Sequence, residues 1–393
     1  MEQLQNAFAA VGARLPRILL PAAGVDLRRF SVIACDQYSA QPEYWDRVTQ
    51  LVGEAPSTLR MILPEAYLDR ETPQQKADIH AAMRQYCQDG TLQELPEGLI
   101  YLQRRLPGGI RNGLMIALDL EQYDFHRGSH SMTRATEKTV EERLPARVKI
   151  RRSAMLELPH VMVLLNDRKD RLNALLQQSR EALTPLYDFE LMEGGGHLTG
   201  WQVRDRDLLM RIAGILAKLK NESCDGMLYA VGDGNHSLAA AKLCWEEIKK
   251  TLPADAWEDH PARWALVELV NLYDPVMEFL PIHRLLMNVD PIAVQKEIGF
   301  DAKNPPDIQE LQPRLDAWLQ RHPEAEIEYI HGEAECRKLG EAPDRLPIIL
   351  GEVRRDMLFE TVAKNGALVR KSFSMGEAAE KRYYLECRRI RLY

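Results

Sequence analysis

The residues best suited to chemistry lie between positions 228 and 250, in "LYAVGDGNHSLAAAKLCWEEIKK". An apolar run ends in Gly232, Asp233, Gly234, Asn235, His236 and Ser237, and an alanine-rich helix follows. The two glycines permit positive φ and close approach of a ligand. A helix start behind such a turn offers free N–H groups and the positive end of a dipole, and both favour an anion such as phosphate. Asp233 would repel a bare phosphate unless a divalent metal lay between them, or unless it served as base to a substrate hydroxyl. The plainer reading is a capped junction, because Asp233, Asn235 or Ser237 can each offer an oxygen to the first turn. On pattern alone the two readings weigh about equally. Two familiar phosphate loops are excluded. No G-x-x-x-x-G-K-[ST] is present, and the G-x-G-x-x-S here lacks the third glycine of the dinucleotide fingerprint.

A phosphate would need a cation. Arg134, Lys138 and Arg147, with Glu137 among them, lie in "TRATEKTVEERLPARVKIRR", and His283 and Arg284 follow a strand-like run in "PIHRLL". Arginine pairs bidentately with phosphate, and lysine serves as a point charge. A solvated charged face is the usual fate of such a run. Asp36 and Gln37 stand just past a buried run in "ACDQYSAQPEYW". Loops there commonly carry function, which puts a functional role for Asp36 slightly ahead of an Asx turn. Glu43 is a second acid, placed where it also supports a helix start. His197 follows three glycines in "GGGHLTGW", which suits a closing loop or a loose hairpin tip, and Trp201 can stack a ring or pack in a core. His126 and His130 stand four apart, as in zinc sites, but Gly128 argues against a helix and no third ligand is evident. G-x-S-x-G is absent, so no Ser/His/Asp triad is assigned.

The elements that must position these residues are legible in outline. Phe30 to Cys35 reads as a short buried strand, followed by a helix from about Pro42. "PQQKADIHAAMRQYCQDG" is a helix with Ile79, Met83 and Tyr86 on one stripe. Pro107, Gly108 and Gly109 join two strands into a hairpin, and a second strand pair flanks the glycine run before His197. "RDLLMRIAGILAKLKNES" is strongly amphipathic, and "ARWALVELVNLYDP" and "EFLPIHRLLM" supply further strands. From about residue 290 the style changes to alternating helix and strand with Pro-rich joints. The expected organisation is a main domain over 1–289 and a C-terminal lobe over 290–393, with the terminal segment packing back on the main domain. The expected class is α+β, or mixed α/β.

Composition narrows the function classes. The chain has 393 residues, 45% hydrophobic and 28% charged, with a formal net charge of -7. That balance argues against general binding to nucleic acid or anionic membranes. The six cysteines are scattered and none forms C-x-x-C, which favours reduced thiols in a cytoplasm. No signal peptide and no membrane-length apolar run is evident.

As an ordered set, "RATEKT", "GGGHLTGW", "VGDGNHSLAAAK", "EFLPIHRLL" and the terminal "EKRYYLECRRIRL" resemble the domain-of-unknown-function 1015 family, from about Leu15 to the end. More distantly, the loop resembles the Asp/Gly-x-His-Arg loop of the ParB/sulfiredoxin superfamily, which includes free serine kinases. That resemblance implies a ParB/sulfiredoxin-like nucleotide-binding core and phosphate binding by Gly232 to Ser237. It also implies that Asp233 and His236 match the acid and histidine of phosphoryl transfer. Family motifs favour Arg134, Glu137 and Arg284 over a merely solvated role. Ser237 departs from the arginine usual in the relatives, so a basic residue from "RATEKT" or "PIHRLL" is expected to reach the loop. The expected function is a phosphotransferase of serine-kinase type acting on a small hydroxylated metabolite, with a nucleotide (ATP or ADP) and a Mg²⁺ held by Asp233 and Asp36. Asp36, Asp233 or His236 would deprotonate the acceptor, with Arg134, Arg284, His197 and His283 near substrate. A nucleotide-binding regulator is the rival, and hydrolysis or lyase chemistry on a phosphorylated amino acid a third reading.

Overall fold

The computed structural model describes residues 2–70, 72–140, 144–305 and 307–391. The chain divides into two compact units. One holds Met1–Ala135, Thr139–Met277 and Glu377–Tyr393; the other holds Thr136–Lys138 and Glu278–Gly376. The strand Phe279–Met287, expected with the first unit, belongs to the second. The reason is pairing: its partners are Glu326–His331, Arg345–Ile348 and Phe373–Met375, all in that unit. The boundary therefore falls after Met277 rather than after 289.

The first unit is built on a ten-stranded mixed sheet. Its order runs Thr184–Glu190, His197–Val203, Leu99–Leu106, Gly109–Asp119, Trp264–Asn271, Met162–Leu165, Tyr229–Asp233, Thr133–Ala135 and Tyr123–Asp124, with Ala13–Arg14 paired to Gly109–Asp119. Most pairs are antiparallel. Tyr229–Asp233 lies parallel to Thr133–Ala135, and Trp264–Asn271 parallel to Met162–Leu165. Strand side chains alternate between faces, so Leu99 and Tyr101 enter one core while Ile100 and Leu102 enter another. Both faces are covered, which is why the central strands read as almost unbroken apolar runs.

Helix Arg206–Glu222 covers one face, as its pattern predicts. Asp205 caps it by accepting the Leu208 N–H at 2.8 Å, and Leu209, Ile212, Leu216 and Leu219 are buried. Helices Pro42–Val52 and Pro73–Gln88 supply Trp45, Val48, Ile79 and Met83 to the opposite core. The run Phe30 to Cys35 is not the expected strand. Phe30 closes the short helix Leu27–Phe30, while Ser31 to Ala34 are buried, bridge at Ile33 to Tyr383, and exchange bonds with the C-terminal segment: Ala34 N–H to the Arg382 carbonyl, and Tyr384 N–H to the Val32 carbonyl, both 2.8 Å. The second unit packs helices Pro291–Ile298 and Ile308–Leu319 around Leu286, Leu311, Leu315 and Ile348. The architecture is α+β. Among the described residues no helix is long and apolar enough to cross a membrane.

Candidate functional site

The strand Tyr229–Asp233 ends in an irregularity between Val231 and Asp233, so Gly232 sits at a bulge where the strand bends. Gly234 then takes φ 78° and forms the N-terminal boundary of helix Asn235–Lys249. Only Gly234 of the two loop glycines needs the left-handed region. It also needs its missing side chain, because a Cβ there would stand 3.0 Å from Cα of Val161 and 3.4 Å from the His160 ring. Among the described residues no side chain caps the helix. The capping reading is overturned: Asp233 accepts the Gly234 N–H at 2.9 Å, one residue before the helix begins, and Asn235 Oδ1 is buried without a hydrogen-bond partner. The first turn thus keeps the character of an anion site.

Among the described residues the cation at this loop is Lys381. Its ammonium lies 3.3 Å from Asp233 Oδ2, and the residue is 8% exposed. Lys381 lies in the terminal segment "EKRYYLECRRIRL" and was not among the cations expected from the sequence. The segment is held by buried charge. Arg382 pairs with Glu268 and Glu386 and donates to the Pro159 carbonyl at 2.9 Å. Tyr187 donates to Glu386 at 2.5 Å, and Arg111 lies 3.7 Å from Glu268. Arg104 donates to the carbonyls of Gly195, Ala379, Glu380 and Lys381 at 2.9, 2.7, 3.0 and 2.5 Å. Buried ions require this density of partners, since an unpaired one costs several kcal/mol. The one signal available in sequence was a run of charges too regularly interleaved with Tyr, Leu and Cys to be a solvated tail.

The same segment organises a second pair. The Tyr384 hydroxyl accepts the Cys35 N–H at 3.1 Å and shares a hydrogen bond with Nδ1 of His160 at 2.8 Å. Nε2 of His160 lies 3.9 Å from Asp36 Oδ2. Burial works to raise the Asp36 carboxyl, but His160, the Gln37 amide and Lys381 outweigh it and hold it below the usual carboxylate range. Lys381 thus acts on both Asp36 and Asp233. His160 was missed in sequence; it is an isolated histidine beside an apolar run, which usually marks core.

Other expected residues serve different ends. His236 lies in the first turn, and its Nε2 accepts the Val140 N–H at 3.1 Å, which removes that nitrogen as a base. Arg134 donates to Ser131 and to Asp225, which precedes strand Tyr229–Asp233; it is turned away from the loop at the strand's far end. In the second unit, Glu137 accepts the N–H groups of Lys371, Ser372 and Phe373 at 3.2, 2.9 and 3.4 Å, and burial raises its carboxyl. Arg284 there donates to Gln312 and to the carbonyls of Ile282, Arg370 and Lys371, and lies over the Tyr329 ring. His283 accepts the Leu350 N–H at 3.1 Å. His197 sits in the edge hairpin between Asp188 and Glu190, whose carboxylates raise its pKa. Its glycine run serves packing: a Cβ on Gly195 would stand 2.6 Å from the Tyr383 ring. His126 and His130 pair with Asp124 and Asp225 respectively.

The donors do not fit a resident metal. Both Asp233 oxygens are engaged, one by an ammonium, and a dication beside Lys381 would be repelled. Among the described residues no group of three or more His, Cys, Asp or Glu is placed to hold one.

Beside the loop lies an open pocket of about 140 Å³, reaching His160, Ser237 and Tyr384. The molecule is therefore an α+β protein whose uncapped helix N-terminus, buried lysine and carboxylates converge next to a pocket. The chain belongs to the family described as "Protein of unknown function (DUF1015)", whose model matches residues 19–330. The comparison with curated proteins returned no match. Among solved structures, a conserved hypothetical protein from Pyrococcus furiosus is similar at 10% identity and a TM-score of 0.34, over 69% of this chain and 90% of that one.

Proposed function

We propose that this protein is a phosphotransferase that moves a phosphoryl group from a nucleotide to the hydroxyl of a small metabolite. The observation that carries this reading is the Lys381 ammonium 3.3 Å from Asp233 beside an uncapped helix start. Lys381 supplies the positive charge that Ser237 does not. The loop's resemblance to the ParB/sulfiredoxin superfamily and its serine kinases supports the same reading.

In this mechanism the nucleotide phosphates rest against the first turn of helix Asn235–Lys249 and near Lys381, which offsets charge as it develops. The acceptor hydroxyl gives its proton to Asp36, ionised because its neighbours hold it so. The acceptor oxygen forms a bond to the terminal phosphorus while the bond to the leaving nucleotide oxygen breaks. His160, fixed by Tyr384, orients the Asp36 side of the site. Any Mg²⁺ belongs to the nucleotide substrate.

A second reading, a nucleotide-binding regulator without turnover, is favoured by one observation. Asp233 spends both oxygens on partners within the fold and so behaves as a positioning group. The test is a thermal-shift screen with ATP, ADP and pyrophosphate, with and without Mg²⁺, followed by assay of nucleotide consumption with hydroxylated metabolites. Stabilisation follows mass action. Binding with consumption supports the transferase, and binding without it supports the regulator. No stabilisation by any of the three removes both.

A further inference from the structure

The pocket beside the loop has a chemistry of its own. Met61, Leu63, Met83 and Leu156 give it an apolar lining. The charges at its walls are paired with one another: Arg147 with Glu65, and Arg151 with Glu157 at 2.5 Å. Burial pushes the Cys35 thiol up to about 12, so that wall is neutral as well. No charge in this lining is left to select a charged ligand body. The polar groups gather where the pocket meets the loop, at Ser237, His160 and Tyr384. Ser237 and Ala240, three apart on one helix, share the wall. Their small side chains keep the pocket open; a long side chain at either position would occupy it.

We propose that this pocket receives the uncharged apolar body of the acceptor, an amphipathic alcohol whose hydroxyl lies at the His160 and Ser237 end. The body is about the size of a benzene ring or a branched five-carbon chain, since an apolar cavity of roughly 150 Å³ accommodates benzene. Apolar burial supplies affinity there, and the polar end fixes orientation. The assignment of the alcohol as acceptor rests on the phosphotransferase reading; the pocket's preference for an apolar body does not.

The test uses the full chain and four probes: benzyl alcohol and 3-methylbutanol as apolar-bodied alcohols, and glycerol and serine as polar ones. Binding is followed by ligand-observed NMR titration. The two apolar alcohols are expected to bind saturably in the millimolar range and the polar two are not, as befits ligands of so few atoms. Ala240→Leu, which narrows the pocket, should weaken benzyl alcohol about tenfold. Met83→Ala, which widens it, should admit 2-naphthylmethanol, which the natural protein is expected to reject. The thermal shift produced by pyrophosphate reports that each variant is folded and reads the loop separately. If apolar alcohols bind and pyrophosphate does not, the pocket assignment stands and the transferase reading falls. If the apolar alcohols do not bind, whether or not pyrophosphate does, or bind the same in Ala240→Leu, the pocket assignment is overturned. Where Ala240→Leu no longer melts cooperatively, Met83→Ala carries the test, and unaltered alcohol affinity together with continued rejection of 2-naphthylmethanol overturns the assignment.

Discussion

The Lys381 ammonium stands 3.3 Å from Oδ2 of Asp233, tying the C-terminal segment to the turn at the start of helix Asn235–Lys249. Residues far apart in sequence thereby share one charge cluster, and Asp36 feels the same ammonium. Lys381→Met should weaken pyrophosphate or nucleotide binding roughly ten- to a hundredfold, the worth of a charge-assisted hydrogen bond of about 1.5–3 kcal/mol. Lys381→Arg should restore part of it. Calorimetric titration measures this, and equal affinities would remove Lys381 from the anion site.

Asp36 predicts a pH effect. Against the opposing pull of burial, His160, Gln37 and Lys381 lower its folded pKa. A carboxyl with a depressed folded pKa contributes stability that is present above its unfolded value of about 3.9 and is lost as pH falls through the folded value. The 26% of its side-chain surface left exposed moderates the size. Asp36→Asn should therefore flatten the loss of urea-measured stability on acidification below about pH 4. An unchanged acid limb would assign that loss to other carboxylates.

Gly195→Ala should reach the site from a distance. Gly195 has no positive φ, so the effect is steric: the added methyl meets the Tyr383 ring at 2.6 Å. Tyr383 adjoins Arg382 and Tyr384, which hold Glu268 and His160. We expect a loss of about 1–3 kcal/mol by overpacking, together with weaker anion binding. A variant as stable and as tight as the natural protein would show that the segment tolerates displacement.

Glu268→Leu leaves Arg382 and Arg111 short of a buried counter-charge. The expected cost is about 3–5 kcal/mol in chemical denaturation. Glu333→Ala, which removes one partner of an exposed helical pair with Arg337, should change stability by less than about 0.5 kcal/mol. Similar costs for the two would mean that the buried network is not what holds the segment.

What the sequence determined by itself was local. The strand, the glycine turn and the helix at 229–249 follow from hydrophobic period and turn chemistry over a few residues. The two hairpins, the amphipathic helix Arg206–Glu222 and the α+β class were legible for the same reason. Asp36 and Asp233 were legible as candidates because acids at the ends of apolar runs stand out. Tertiary structure decided which residues meet. Whether Asp233 capped the helix depended on which φ Gly234 adopts and on competition for its carboxylate, one oxygen of which is taken by Lys381 from far along the chain. Arg134 and Arg284 were the cations the sequence pointed to, but their charges are consumed by nearer carbonyls and acids. Lys381 reaches the loop because buried pairs centred on Glu268, Glu386 and Arg104 fix its backbone. Such long-range pairings depend on which strands lie side by side, and that order is set only when the sheet assembles.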